Sequence, residues 1–234
     1  MSSEAPDHGL PPAGSAARDL SRRQWRRGLL AAYALHLAVL SLYVFSVIPQ
    51  QFHPPEHLFW LHNGGDNVGY YDLAHDLLAG VLRPSKYPLG FPVLLLPFVA
   101  LFPGYDQPGL LQVVAAFWSL VMFPVGQWVL GWLAERLIGQ RRLALLTVLL
   151  WTLLPLLFYA GLRLVSSPEV AETGSVHLTW AQMLSDGPAA LFTLLLVAAF
   201  LRLREEPGRA GWPVALGALG GFLTLIRLTG GLAV

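Results

Sequence analysis

Acidic, basic and phenolic side chains are concentrated in one stretch of the chain, residues 61–92, which reads LHNGGDNVGYYDLAHDLLAGVLRPSKYPLGFP. Asp66 follows a Gly-Gly pair, Tyr70 and Tyr71 follow Asp66 within the same run, and Lys86 stands before an apolar segment. A carboxylate can act as a general base, and an ammonium group can stabilise negative charge on a phosphate. This stretch therefore holds most of the side chains that could do chemistry.

Two groups of potential metal ligands lie in the same region. A pair of carboxylates and an imidazole have helical spacing, which is more typical of a solvated helix face than of a metal site; these residues are Asp72, His75 and Asp76. The histidines upstream have no standard ligand spacing, because Pro54-Pro55 interrupts any helix; they are His53, His57 and His62. We assign no metal and no other cofactor from these patterns.

The composition indicates an integral membrane protein. Hydrophobic residues make up 55% of the 234 residues and charged residues only 12%, whereas charged residues are about a quarter of a typical soluble domain. The absence of cysteine excludes thiol nucleophiles, thiolate metal sites and disulfides. A net charge of +1 argues against nucleic acid as a partner.

The N-terminal region predicts a membrane anchor. Residues 1–20 are polar, small and proline-containing, which is typical of a disordered tail. The basic segment SRRQWRR at 21–27 precedes about 20 apolar residues at 29–48, enough to cross a bilayer. No small-residue cleavage site follows, so we expect a retained helix with a cytoplasmic N-terminus in a bacterial inner membrane or a plasma membrane.

Segment 89–102 is apolar but short for a span, and two prolines interrupt it. If it dips into the outer leaflet without crossing, the later arginine clusters fall on the cytoplasmic side, as the positive-inside rule requires. Those arginines are Arg136, Arg141, Arg142, Arg202, Arg204 and Arg209. We therefore expect a re-entrant or interfacial segment here.

The same rule predicts four further spans, at about 109–133, 143–162, 188–203 and 212–228. Residues 49–108 then form a large outer loop that carries short interfacial helices. Gly217 and Gly221 in the last span predict a close packing face, more typical of contacts within the bundle than of a dimer. The chain stops at Val234 without a polar tail, and we expect a partial polypeptide.

Four features in this order resemble the N-terminal part of the GT-C fold glycosyltransferases that use polyprenyl-phosphate-linked sugars. The first is Asp66 with Tyr70, and the second is the proline-containing stretch KYPLGFPVLLLPF. Ser-Asp-Gly-Pro at 185–188 and the glycine-rich segment GALGGFLTLIRLTGG with Arg227 complete the set. The similarity is greatest to the protein O-mannosyltransferase and aminoarabinose transferase branch, and it covers residues 22–234.

The resemblance implies a GT-C-like helical bundle with its active site on the outer face. It implies that Asp66 is the base and that Lys86 and Arg227 contact the donor phosphate. Each residue also has an ordinary local explanation. Asp66 suits an Asx turn after the glycines, Lys86 an interfacial lysine reaching the headgroups, and Arg227 a basic residue at a helix end.

Three more residues are candidates for the substrate site. Tyr70 and Tyr71 could line a sugar site, although interfacial aromatic belts also use tyrosine. Asp186 could serve the donor site or could cap a helix. The implied partners are a lipid-linked sugar donor, membrane lipids, and a glycan, lipid or protein acceptor.

Two other functions remain open from the sequence. A multi-pass transporter would place ionisable groups and broken helices near the membrane midplane, whereas here the acids collect in outer loops. A non-catalytic membrane assembly protein would leave the ordered outer-loop pattern without a reason. We therefore expect a membrane glycosyltransferase that acts at the outer face.

Overall fold

The computed structural model describes residues 19–43, 66–166, 180 and 185–227. Within these residues every regular element is a helix and none is a strand, which confirms the predicted all-helical class. In chain order the helices are α1 (Arg22–Leu42), α2 (Asp66–Leu78), α3 (Gly90–Leu101), α4 (Gln107–Phe117), α5 (Phe123–Ile138), α6 (Arg141–Val165), α7 (Asp186–Glu205) and α8 (Gly211–Ile226). All but the last two residues of the predicted tail lie outside this part, as do the three upstream histidines.

Local residues explain where several helices begin and end. The Ser21 hydroxyl accepts the backbone N–H of Gln24, and the Gln24 side chain accepts that of Ser21, a capping box for α1. Asp106 caps α4 by accepting the N–H of Gly109 at 2.9 Å. Gly139 ends α5 with φ of 73°, a left-handed conformation that glycine adopts without strain.

Three helical stretches are long and apolar enough to cross a membrane: Gln107–Ile138 with 32 residues, α6 with 25 and α7 with 20. α8 is apolar but has 16 residues, or about 24 Å of helix. α1 opens with the basic segment, and the end of its predicted span lies outside the described residues. Three helical stretches of the described chain therefore have the length and hydropathy of membrane helices.

The 32-residue stretch contains a change of helix type. A π-helical turn, Trp118–Met122, joins α4 to α5, and Pro124 follows in the first turn of α5. Proline lacks the backbone N–H that a continuous α-helix would use at that position. The regular α-helical pattern is therefore interrupted by the π-helical turn directly before this proline.

Arginines from four helices gather at one end of the bundle. Arg22 and Arg26 of α1 line a cavity together with Arg136 of α5 and Arg141 of α6. α7 ends beside them, because the Arg202 guanidinium lies 4.8 Å from the ring of Trp132, which lines the same cavity. We call this the arginine-rich end. The arginines of these helices thus share one end of the described bundle.

α2 and α3 lie at the opposite end. Gly90, the first residue of α3, packs against the backbone of Ile226 where α8 ends. Just after α3, the carbonyl of Tyr105 accepts the Tyr71 hydroxyl of α2 at 3.0 Å. Both ends of α3 therefore stay near one end of the bundle, and its 12 residues, about 18 Å, are too short to reach the other.

Several polar side chains in the bundle interior have hydrogen-bond partners on neighbouring helices. His36 of α1 contacts the carbonyl of Ser119 at 2.8 Å, in the π-helical turn. Gln127 donates to the carbonyl of Ala32 at 3.2 Å and to the hydroxyl of Thr152 at 2.7 Å. These bonds fasten α1, α5 and α6 together, since a buried polar group without a partner would be destabilising.

The three glycines of α8 that the sequence singled out have different surroundings among the described residues. A Cβ atom added at Gly217 or Gly221 would meet nothing within 4 Å, so these two glycines lie on an open face within the described structure. Gly220, on another side of the same helix, is buried instead. The side of α8 that carries Gly217 and Gly221 therefore faces away from the described helices, and the predicted packing face is not formed by these helices.

Candidate functional site

The first turn of α2 provides the acidic side of the candidate site. The buried face of this helix consists of Asn67, Tyr70, Leu73 and Ala74, which recur with helical spacing. Asp66 is the first residue of the helix and is exposed. Its carboxylate is favoured there by the helix dipole, and its position one turn before Tyr70 brings the carboxylate and the phenol to one side of the helix.

Tyr70 anchors this turn to the rest of the site. Its side chain is 4% exposed, and its hydroxyl donates a hydrogen bond of 3.3 Å to the Ser185 hydroxyl at the start of α7. The ring packs against Tyr87 and Phe91, with centroids 5.2 and 4.9 Å away. The Tyr70 side chain is thus held by two other parts of the chain, the start of α7 and the segment that contains Tyr87 and Phe91.

The pKa of Tyr70 depends on its burial and on the charged groups around it. Burial raises its pKa above the usual 10, the hydrogen bond that Tyr70 donates to Ser185 acts in the opposite direction, and the carboxylates of Asp66 and Asp186 raise it further. The guanidinium of Arg227 lowers it. Tyr70 therefore lies within the electrostatic influence of both acids and of the arginine, and it is neutral at physiological pH.

Lys86 reaches the site from the segment that joins α2 to α3. The ring of Tyr87 occupies the space beside Gly69, where any side chain would collide with it. The Lys86 ammonium lies 5.0 Å from the centre of that ring, within the range of a cation–π attraction. Gly69 thus lets the segment approach α2 closely and places the ammonium near Asp66.

Asp186 and Arg227 close the other side of the site. Asp186 is the first residue of α7, Arg227 directly follows α8, and their side chains form an ion pair. Gly187 allows the Trp180 ring to pack closely against the start of α7. A Cβ atom added at Gly187 would lie 3.0 Å from Cγ of that ring. The pair is partly exposed, so we expect it to contribute at most about 1 kcal/mol to stability.

These side chains surround one cavity of about 460 Å³. Its lining consists of Asp66, Tyr70, Lys86, Tyr87, Pro88, Ser185, Asp186 and Arg227. Two carboxylates face two cations there. Asp186 is paired with Arg227, whereas Asp66 and Lys86 form no ion pair within the described part of the chain. Among the described residues, a carboxylate and an ammonium group thus line the cavity without an ion-pair partner.

Five of the six predicted site residues line this cavity, and Tyr71 does not. The Tyr71 hydroxyl donates to the carbonyl of Tyr105, and its ring packs on His75, 4.4 Å between centroids. Asp76 pairs with Arg83 at 3.2 Å, away from the cavity. In the described ranges, no three His, Asp or Glu side chains come together as metal ligands would.

Three residues of the lining were not among the predicted site residues: Tyr87, Pro88 and Ser185. The sequence could have indicated them only by their closeness to predicted site residues, since Tyr87 follows Lys86 and Ser185 precedes Asp186. Ser185 was visible within the Ser-Asp-Gly-Pro motif, but its hydrogen bond to a tyrosine 115 residues away depends on the tertiary fold.

Comparisons of this chain with protein-family models, with curated proteins and with solved structures find no match. The site must therefore be interpreted from its own geometry and chemistry.

Proposed function

We propose that this chain is a multi-pass membrane glycosyltransferase of the GT-C type, moving a sugar from a polyprenyl-phosphate-linked donor to an acceptor at the outer face. The observation that carries the proposal is the shared cavity of Asp66, Lys86 and Arg227, in which Arg227 meets two residues that lie about 140–160 positions earlier in the chain. A carboxylate and two cations around one space are the groups that transfer from a phosphate-linked sugar needs.

Asp66 acts as the general base. An acceptor hydroxyl attacks the anomeric carbon of the donor sugar, the Asp66 carboxylate takes the hydroxyl proton, and a new glycosidic bond forms. The bond between the anomeric carbon and the phosphate oxygen breaks at the same centre, so that the polyprenyl phosphate leaves with the bonding electrons. The exposure of Asp66 and its lack of an ion pair among the described residues support this role.

Lys86 and Arg227 stabilise the departing phosphate. Negative charge grows on that group as the bond breaks, and cations fixed beside it lower the barrier. Asp186 holds the Arg227 side chain at the cavity before the donor binds. Tyr70 lies between the acidic and basic groups and positions them through Ser185, without taking part in proton transfer.

The position of the cavity in the bundle suits a lipid-linked donor. It lies at the end opposite the arginine-rich end, where α7 begins and α8 ends. With the arginine-rich end and the N-terminus cytoplasmic, the cavity lies near the outer headgroups of the membrane. The phosphate of a polyprenyl donor occupies the same depth, because its hydrocarbon chain stays in the bilayer.

Polar groups in the bundle interior favour this function over transport. A transporter needs ionisable groups or unwound backbone along a path near the midplane. In the described helices, His36 and Gln127 are tied to backbone carbonyls and form no path between the two ends. The charged side chains of the site instead line a cavity at one end of the bundle.

The proposal is tested by transfer of labelled sugar from polyprenyl-phosphate donors to an acceptor mixture, using the native-length protein in a membrane. Asp66→Asn keeps the size of the side chain and removes the base. We expect this variant to insert normally and to lose transfer. Normal transfer by the variant would contradict the role of Asp66.

A further inference from the structure

A second polar cavity lies at the arginine-rich end, about 720 Å³ in volume, between α1, α5 and α6. Four guanidinium groups and two indole rings line it: Arg22, Arg26, Arg136, Arg141, Trp25 and Trp132. The proposed glycosyl transfer uses none of these residues. Their combination of positive charge and aromatic surface is typical of sites that bind phosphate groups at a membrane surface.

The acidic groups of this cavity are already engaged by other parts of the protein. Asp19 accepts the backbone N–H groups of Arg141 and Arg142, each at 3.3 Å, and so caps α6. Glu135 pairs with the Arg141 side chain at 2.7 Å. Asp19 therefore caps a helix and Glu135 pairs with Arg141, so these two carboxylates do not neutralise the other arginines of the cavity.

Arg22 and Arg26 are the cations left over. They lie one turn apart on the same side of α1, and within the described ranges neither forms an ion pair. Arg136 pairs with Glu205 only at 3.5 Å, across to α7. The cavity thus presents two exposed guanidinium groups that can bind the oxygens of a phosphate through several hydrogen bonds.

An apolar cleft beside the cavity indicates where the phosphate comes from. Trp132 lines both spaces; the cleft, about 370 Å³, lies between α5, α7 and α8 and is otherwise formed mainly by apolar side chains such as Trp128, Leu195 and Leu219. A free phosphate would use the arginines alone. A phospholipid would use both spaces, with its headgroup at the arginines and its hydrocarbon in the cleft.

We propose that the arginine cavity binds the phosphate headgroup of an anionic phospholipid from the membrane leaflet at this end. Arg22 and Arg26 contact the phosphate, Trp25 and Trp132 flank it, and the adjacent cleft takes a hydrocarbon chain. This inference depends on membrane insertion of the bundle and is independent of glycosyl transfer at the other end.

The test measures binding of added lipid to the purified, detergent-solubilised full chain by native mass spectrometry. The probes are phosphatidylglycerol, the zwitterionic phosphatidylcholine, and soluble glycerol 3-phosphate. The double variant Arg22→Gln/Arg26→Gln removes the two cations. Arg23→Gln/Arg27→Gln is the matched control, because it removes the same charge from exposed positions of α1 that do not line the cavity.

We expect phosphatidylglycerol to bind more tightly than either other probe, and Arg22→Gln/Arg26→Gln to weaken its binding about 30-fold. The control should change it less than about 3-fold. Equal losses in the two double variants would overturn the site in favour of diffuse surface charge. Binding of glycerol 3-phosphate as tight as that of phosphatidylglycerol would overturn the assignment to a lipid.

Discussion

The Tyr70 hydroxyl donates a hydrogen bond of 3.3 Å to the Ser185 hydroxyl, linking residues that are 115 positions apart in the chain. One is on α2, a turn after Asp66, and the other directly precedes Asp186 at the start of α7. This bond joins the side of the cavity that carries Asp66 to the side formed by Asp186 and Arg227. Several properties of the protein should depend on it.

Replacing Tyr70 by Phe should lower the free energy of unfolding by about 1 kcal/mol, because the variant leaves the buried Ser185 hydroxyl without this partner. Thermal unfolding in detergent measures the change. Tyr71→Phe is the matched control, since the Tyr71 bond to the Tyr105 carbonyl is exposed and its loss should matter less. A larger effect of the control variant would contradict this role of Tyr70.

The same phenol should make stability depend on alkaline pH. Its pKa in the folded protein is raised, mainly by burial, above the value near 10 of an unfolded tyrosine. The stabilisation is therefore complete below about pH 10 and is lost as the pH rises through the folded pKa. The difference in melting temperature between the wild type and Tyr70→Phe should shrink above about pH 10. A difference that is constant with pH would rule this out.

Lys86→Gln should reduce sugar transfer about 100-fold, because it removes one of the two cations that stabilise the phosphate leaving group. Arg83→Gln provides the matched control. Arg83 also carries one positive charge in the α2–α3 segment, but it pairs with Asp76 and does not line the cavity. Steady-state transfer rates measure both variants. Equal losses would show that the overall charge of the segment, and not Lys86, is required.

Gly90→Ala should destabilise the fold by about 1–3 kcal/mol, because its Cβ would meet the Leu225 backbone at 2.5 Å and the two helices would have to separate. Gly217→Ala, with nothing within 4 Å of the added atom, should be neutral or stabilising by up to about 1 kcal/mol. Thermal unfolding compares the two variants. A neutral Gly90→Ala would contradict the close contact of α3 with α8.

Much of the helical scaffold could be predicted from the sequence, because apolar runs, prolines and arginine clusters are local signals. Tyr71 could also have been separated from Tyr70 in advance. Adjacent residues of a helix point about 100° apart, so only one of the two can share the side of Asp66. Tyr70, four residues after Asp66, is the one that this spacing places there, and it belongs to the buried face of α2.

Other features depend on contacts that the sequence does not encode locally. The ion pair of Asp186 with Arg227 requires that α7 begins where α8 ends, which follows from the packing of the whole bundle. The open face at Gly217 could not be predicted either, since a small-residue pattern does not tell which side of a helix meets its neighbours.

The most direct test of the central claim compares sugar transfer by the wild type, Asp66→Asn and Asp72→Asn in the same membrane preparation, with polyprenyl-phosphate donors of several sugars. Asp72 lies on the same helix but outside the cavity, so its variant controls for the loss of one carboxylate. We predict transfer by the wild type and by Asp72→Asn, and a rate at least about 100-fold lower for Asp66→Asn. Undiminished transfer by Asp66→Asn, or no transfer by the wild type from any of these donors, would contradict the proposed function.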